Sequence, residues 1–151
     1  MKINKLIIIV TSFVLLIIVG FLVIKFFEEA NLKNKGYFNL VTLDNRDLEY
    51  NITGKKIFVF STDCEKCIDD LKWLSNQAQG KQKLIDLVSV STCEDTIKAI
   101  RKMNLACNIY IDNKKEIMRK CNVSATPSVY VFVNNDPVEV KGGLKNILEK
   151  T

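Results

Sequence analysis

The apolar residues of this chain fall into three kinds of run. The first is unbroken. Residues 6–24, "LIIIVTSFVLLIIVGFLVI", carry no charge over about 19 positions, enough to cross a bilayer as a helix. No polar face interrupts the run, which argues against a helix packed on a protein core. The second kind is short. "FNLVTL" (38–43) and "DLEYNI" (47–52) alternate around Asp44-Asn45 and predict a β-hairpin. "KIFVFS" (56–61) is continuously apolar and predicts a strand covered on both faces. "KLIDLVSV" (83–90) and "NIYID" (108–112) read as further strands. "SVYVFV" (128–133) and "VEV" (138–140) flank Asn134-Asn135-Asp136-Pro137 as a second hairpin. The third kind repeats at helical spacing. Ile68, Leu71, Leu74 and Ala78 predict a helix from Cys64 to about Ala78, capped by Thr62 or Asp63 and ended at Gly80. Residues 94–104, 114–121 and 142–149 read as shorter helices.

Strand 56–61, helix and strand 83–90 form a unit that implies a parallel pair with a right-handed crossover. The whole pattern predicts an α/β sandwich, a mixed sheet with helices on its faces. The apolar run divides the chain. Residues 1–27 are expected to be a cytoplasmic N-terminus and a transmembrane anchor, 28–36 a short polar stalk, and 37–151 one folded domain. Lys2 and Lys5 precede the run, so the positive-inside rule leaves everything after Lys25 outside the membrane. Lys25, Lys33 and Lys35 on the far side make that bias modest. An uncleaved anchor fits better than a signal peptide. The run is longer than an ordinary h-region, and no small-x-small site follows it. No cysteine near its end permits lipoprotein processing.

Charge adds little. The net value is +5, but the lysines are scattered, and no aromatic-interleaved basic stripe suggests nucleic acid. The cysteines add more. There are five, with no histidine. Lack of histidine removes Cys/His zinc sites, haem ligation by histidine and every histidine-based triad. Outside a membrane, cysteines are usually paired or catalytic. Cys64 and Cys67 lie at the start of the first domain helix, in "STDCEKCIDDL". At that spacing they share one helix face, Cys64 at the accessible end and Cys67 one turn in. The free N–H groups and the helix dipole favour an anion at Cys64 and would lower its thiol pKa. A thiolate attacks a disulfide, and Cys67 stands close enough to resolve the mixed disulfide. Lys66 would support the thiolate, whereas Asp63 and Glu65 would oppose it. Two other readings stay open on the residues alone. The pair could be half of a metal site, or a plain disulfide with no catalytic role.

A second motif, "VSATPSVYVF" (123–132), places an X-Pro bond at the entry to a strand. Together with "KIFVFSTDCEKC", it resembles the thioredoxin superfamily over most of residues 37–150. The membrane-anchored, TlpA-like branch is the better match, because of the N-terminal hairpin, the extra segment at about 94–112 and the anchor. The resemblance implies that Thr126-Pro127 is a cis bond facing the CxxC pair. These two residues would then offer backbone groups to a substrate strand. It also implies thiol–disulfide exchange with extracytoplasmic protein thiols or disulfides, as a reductase rather than an oxidase. A membrane electron donor or acceptor would be a partner, with no metal or other cofactor. Asp70 could match the acid that the branch carries near the pair, as a proton acceptor; otherwise it is a solvated helix carboxylate. The sequence departs from the family in having Asp63 where tryptophan is usual, Lys66 where proline is frequent, and Phe58 in place of a buried strand acid. The alternative is a thioredoxin-like binding module whose cysteines hold metal or staple a loop. Within such a fold, Cys93 and Cys107 would lie at opposite ends of the sheet. A Cys107–Cys121 disulfide is therefore expected, leaving Cys93 free.

Overall fold

A computed structural model describes the backbone of residues 2–34 and 36–149, and the side chains of residues 11–27, 30 and 36–149. The chain divides into two compact units, residues 1–34 and 35–151. The first contains helix α1 (Lys2–Asn34), 33 residues long, which at the standard rise spans about 50 Å. Residues 28–34, expected as stalk, continue this helix. The side chains described from Thr11 to Phe27 are all exposed, Phe13, Leu16 and Phe21 among them. Among the residues whose side chains are described, no helix is long and apolar enough to cross a membrane. The expected apolar run begins at residue 6, so its first five positions lie outside that set.

The second unit is built on a mixed sheet. Its strands are β1 (Tyr37–Thr42), β2 (Asp47–Asn51), β3 (Lys56–Phe60), β4 (Asp86–Ser89), β5 (Ile109–Ile111), β6 (Ser128–Val133) and β7 (Asp136–Glu139). They lie in the order β2-β1-β5-β4-β3-β6-β7. β3, β4 and β5 are parallel; β1 and β6 run antiparallel beside them. The connecting helices are α2 (Glu65–Ser75), α3 (Gln79–Gln82), α4 (Cys93–Ile100), α5 (Glu116–Lys120) and α6 (Gly143–Glu149). Two right-handed crossovers step from β3 to β4 to β5 in one direction, which puts α2 and α4 on the same face. There Phe58, Phe60, Leu87 and Val129 meet Leu71 and Leu74 of α2, Ile100 of α4, and Leu144, Ile147 and Leu148 of α6 in one buried cluster. Ile57, Val59 and Val88 point to the other face and are equally buried. The solid apolar run of β3 is therefore explained: it is covered on both sides.

Several boundaries differ from the sequence reading. α2 stops at Ser75 rather than at Gly80, and Gly80 lies inside α3. The cause is Gln82, which is buried at the end of α2. Its amide donates to Gln77 O (2.9 Å) and Ser75 O (3.5 Å) and accepts from Ala106 N (2.6 Å). That shortens the strand expected at 83–90, which starts only at Asp86. β7 starts at Asp136 because Asn134 and Asn135, with φ of 51° and 68°, make a two-residue turn. At the N-terminal ends of the parallel strands, buried Asp86 accepts from Tyr50 Oη (2.8 Å) and Asn108 Nδ2 (2.8 Å), with Lys55 Nζ at 3.4 Å. Burial, reinforced by Asp86, pushes the Tyr50 hydroxyl far above its ordinary pKa.

The expected Cys107–Cys121 disulfide is absent: Cys93, Cys107 and Cys121 are free thiols. Cys107 enters β5 beside Asp86, whereas Cys121 sits by Asp112, just past the other end of that strand. Five residue steps, from Cys107 through the three residues of β5 to Asp112, separate those ends by about 16 Å, well beyond disulfide reach. Burial pushes the Cys107 thiol up to about 11 and the Cys121 thiol up to about 12. Both therefore behave as small apolar side chains.

Candidate active site

The C-terminal ends of β3 and β4 open into two loops that hold each other. Ser91, past β4, accepts from Thr62 N (2.9 Å) and Thr62 Oγ1 (3.0 Å) and lies 3.3 Å from Ser61 Oγ. Below it, Ser91 N donates to Ser89 Oγ (3.2 Å), which is 2.7 Å from Thr96 Oγ1 on α4. This ladder of small hydroxyls fixes residues 61–63 and thus the entry to α2.

The cap of α2 is Cys64 itself, not Thr62 or Asp63. Its backbone is extended (φ −97°, ψ 104°), and its Sγ accepts from Cys67 N at 3.1 Å. A cysteine sulfur thus stands where a serine or aspartate oxygen would cap a helix. Cys64 and Cys67 form a disulfide across a Cα separation of 5.2 Å. Cys67 is fully buried and belongs to the apolar cluster; Cys64 is half-buried. The accessible and the shielded sulfur are arranged as the helix-start argument requires.

Pro127 follows a cis bond from Thr126. Thr126 O lies 3.4 Å from Cys64 Sγ. In the disulfide this is a close S···O approach; in the dithiol, a Cys64 S–H can donate to that carbonyl. The four residues singled out from sequence, Cys64, Cys67, Thr126 and Pro127, therefore come together at one end of the sheet. Phe58 is buried in the core beneath, stacked on Phe60 with ring centroids 6.0 Å apart.

Asp70 lies one turn beyond Cys67, half-buried, and is not a simply solvated carboxylate. Burial raises its pKa; Lys66 and Lys145 pull it back, and Asp69 pushes it further up. With Pro127, Lys66 and the turn into α6, it lines a groove of about 420 Å³. Ser91 and Lys145 had no signature in the sequence. Ser91 belongs to no motif, and Lys145 is one of 22 basic residues. Cys93 starts α4 at the same end of the sheet, and its thiol donates to Leu43 O at 3.4 Å. Among the described residues, no group of three or more histidine, cysteine or acidic side chains could hold a metal ion.

No family model matches the sequence, and no curated protein matches it. Solved structures do match the fold. MTB DsbF, in mixed oxidized and reduced forms, superposes with a TM-score of 0.61 at 13% identity, over 78% of this chain and 94% of that one. A secreted Mycobacterium tuberculosis disulfide oxidoreductase homologous to E. coli DsbE gives 0.57 at 16%, over 79% and 94%. StoA from Bacillus subtilis gives 0.56 at 17%, over 75% and 94%. The fold of the second unit is thioredoxin-like.

Proposed function

We propose that this chain is a membrane-anchored, extracytoplasmic thiol–disulfide oxidoreductase that acts as a reductase on protein disulfides. One observation carries the reading: Cys64 caps α2 with its own sulfur, against Thr126 O and directly bonded to a buried Cys67. Reduced Cys64 is placed to be a thiolate, because the Cys67 N–H and the helix N-terminus favour the anion. The thiolate attacks one sulfur of a client disulfide. That S–S bond breaks, a mixed disulfide forms, and the other client sulfur leaves as thiolate. Cys67 then gives its proton to a base and attacks Cys64 Sγ, releasing the second client thiolate. The client gains two electrons, and the Cys64–Cys67 disulfide is the product. Asp70, one turn beyond Cys67 on α2, is the proposed base. A dithiol protein on the membrane would return the electrons. Backbone groups of Thr126 and Pro127 would hold the client strand.

Three things support the anchor and the extracytoplasmic location. Residues 6–24 are uncharged within one continuous helix, and Lys2 and Lys5 precede them. The neighbours in fold include one protein described as both secreted and homologous to E. coli DsbE. The Cys64–Cys67 disulfide fits an oxidising compartment. The test is Cys67→Ala. It should accumulate mixed disulfides between Cys64 and client proteins, seen as dithiothreitol-sensitive bands on non-reducing gels. A folded Cys67→Ala protein that traps nothing, and whose Cys64 ignores a small disulfide, would remove exchange chemistry as its role.

A further inference from the structure

The groove beside Pro127 has a charge pattern of its own. It runs between α2 and the turn joining β7 to α6. Lys66 comes from α2, Lys141 from the turn and Lys145 from α6. Facing them are Asp70 and Glu139. The two carboxylates are not equivalent. Asp70 is half-buried and already set against Lys66 and Lys145, while Glu139 is exposed at the edge strand. The groove therefore presents an excess of ammonium groups to whatever lies in it, with Lys141 exposed and Lys145 seated over the Trp73 ring at 5.6 Å. The turn carries Gly142 and Gly143 at φ of 92° and 71°. A Cβ on Gly143 would meet nothing within 4 Å, whereas one on Gly142 would meet the Asn146 side chain at 2.9 Å, so the wall is open at Gly143 only.

The residues next to Cys64 outside the groove have the opposite sign. Asp63 and Glu65 adjoin Cys64, both exposed, and neither lines the groove. An acidic segment is attracted on one side and repelled on the other. A basic segment meets the reverse. That combination selects an orientation as well as a charge.

We propose that this groove receives an extended client segment carrying carboxylates on one side of its redox cysteine, held by Lys66, Lys141 and Lys145. The inference rests on the exchange reaction proposed above and deepens it by naming the client chemistry. The experiment uses the full chain in detergent micelles, reduced, with Trp73 fluorescence as the signal. Two synthetic disulfide peptides are compared, one with aspartates and one with lysines in the same flanking positions, alongside a small neutral disulfide. The acidic peptide should react about tenfold faster than the basic one at low salt, the effect of a partly screened charge pair, and the ratio should shrink as salt rises. In Lys141→Glu/Lys145→Glu the ratio should invert; in Lys141→Ser/Lys145→Ser it should fall toward one. Equal rates for the two peptides on the unaltered chain, or a ratio that survives charge reversal, would overturn the groove assignment while exchange with the small disulfide leaves the reaction standing. Failure with the small disulfide as well would remove the exchange reaction, and the groove assignment with it.

Discussion

A sulfur that caps a helix is stabilised as an anion by the same N–H that it accepts from. This gives Cys64 a measurable signature. After reduction, alkylation of Cys64 should follow a titration midpoint below about 7.5, against about 8.5 for an ordinary free thiol. A midpoint near 8.5 would remove the thiolate from the mechanism. Asp70 gives a second one. Its carboxyl is raised by burial, only partly offset by Lys66 and Lys145. As the proposed base for Cys67, it must be ionised. Resolution of the mixed disulfide should therefore slow as pH falls through its raised pKa, and Asp70→Asn should slow it about 100-fold at neutral pH and flatten that limb. A normal rate in Asp70→Asn would exclude it as the base. The stability effect has the opposite sign. A carboxyl with a raised folded pKa binds its proton more tightly in the folded state than in the unfolded one. Its contribution is fully favourable only below the unfolded value of 3.8 and is lost as pH rises through the folded value. Asp70→Asn should thus be more resistant to urea than the unaltered protein at pH 7, with the difference closing near pH 3.

At the scale of elements, the short helices depend on polar groups more than on propensity. α5 has only five residues, and the residue before it, Lys115, has φ 54° and caps nothing. Asp112, past the end of β5, does that work by accepting from Glu116 N (2.8 Å) and Met118 N (3.0 Å). Asp112→Ala would strand two part-buried donors and should cost about 2 kcal/mol in chemical denaturation. A change within error would mean that α5 holds by Ile117 alone. The same contrast decides what the sequence reveals. β3 was readable because its apolar run is solid, and α2 because Leu71 and Leu74 keep helical spacing to the same core. Cys64, Cys67 and Thr126-Pro127 were readable as local motifs. The end of α2 was not, because it is set by Gln82 reaching back to Ser75 and Gln77, a tertiary contact with no local mark. The cap was misassigned to Thr62 or Asp63 because sulfur rarely competes with oxygen there. The Cys107–Cys121 pairing failed because position along β5, not order in sequence, decides which thiols can meet. The groove was invisible for the same reason: Lys66, Lys141 and Lys145 come together only through the fold.

For the whole molecule, the proposed tether changes what the redox pair can reach. A free domain would sample every client, whereas an anchored one acts within a few tens of ångströms of the bilayer. Residues 6–24 make one uncharged stretch inside a 33-residue helix, so the full chain should sediment with membranes, resist high salt and alkaline carbonate, and be released only by detergent. A chain lacking residues 1–27 should be soluble and keep its Cys64–Cys67 disulfide, since the folded unit begins only after Asn34. The side of the membrane is a separate question, because only Lys2 and Lys5 favour the orientation, and Lys25, Lys33 and Lys35 oppose it. A membrane-impermeant maleimide added to intact, reductant-treated cells decides it. Labelling of Cys64 in intact cells places the domain outside, where oxidation of its clients creates the disulfides it would reduce. Labelling only after lysis places it inside, where thiols are already kept reduced and an anchored reductase of protein disulfides would have no substrate supply. That outcome would overturn the proposed location while leaving the chemistry of the cysteine pair intact.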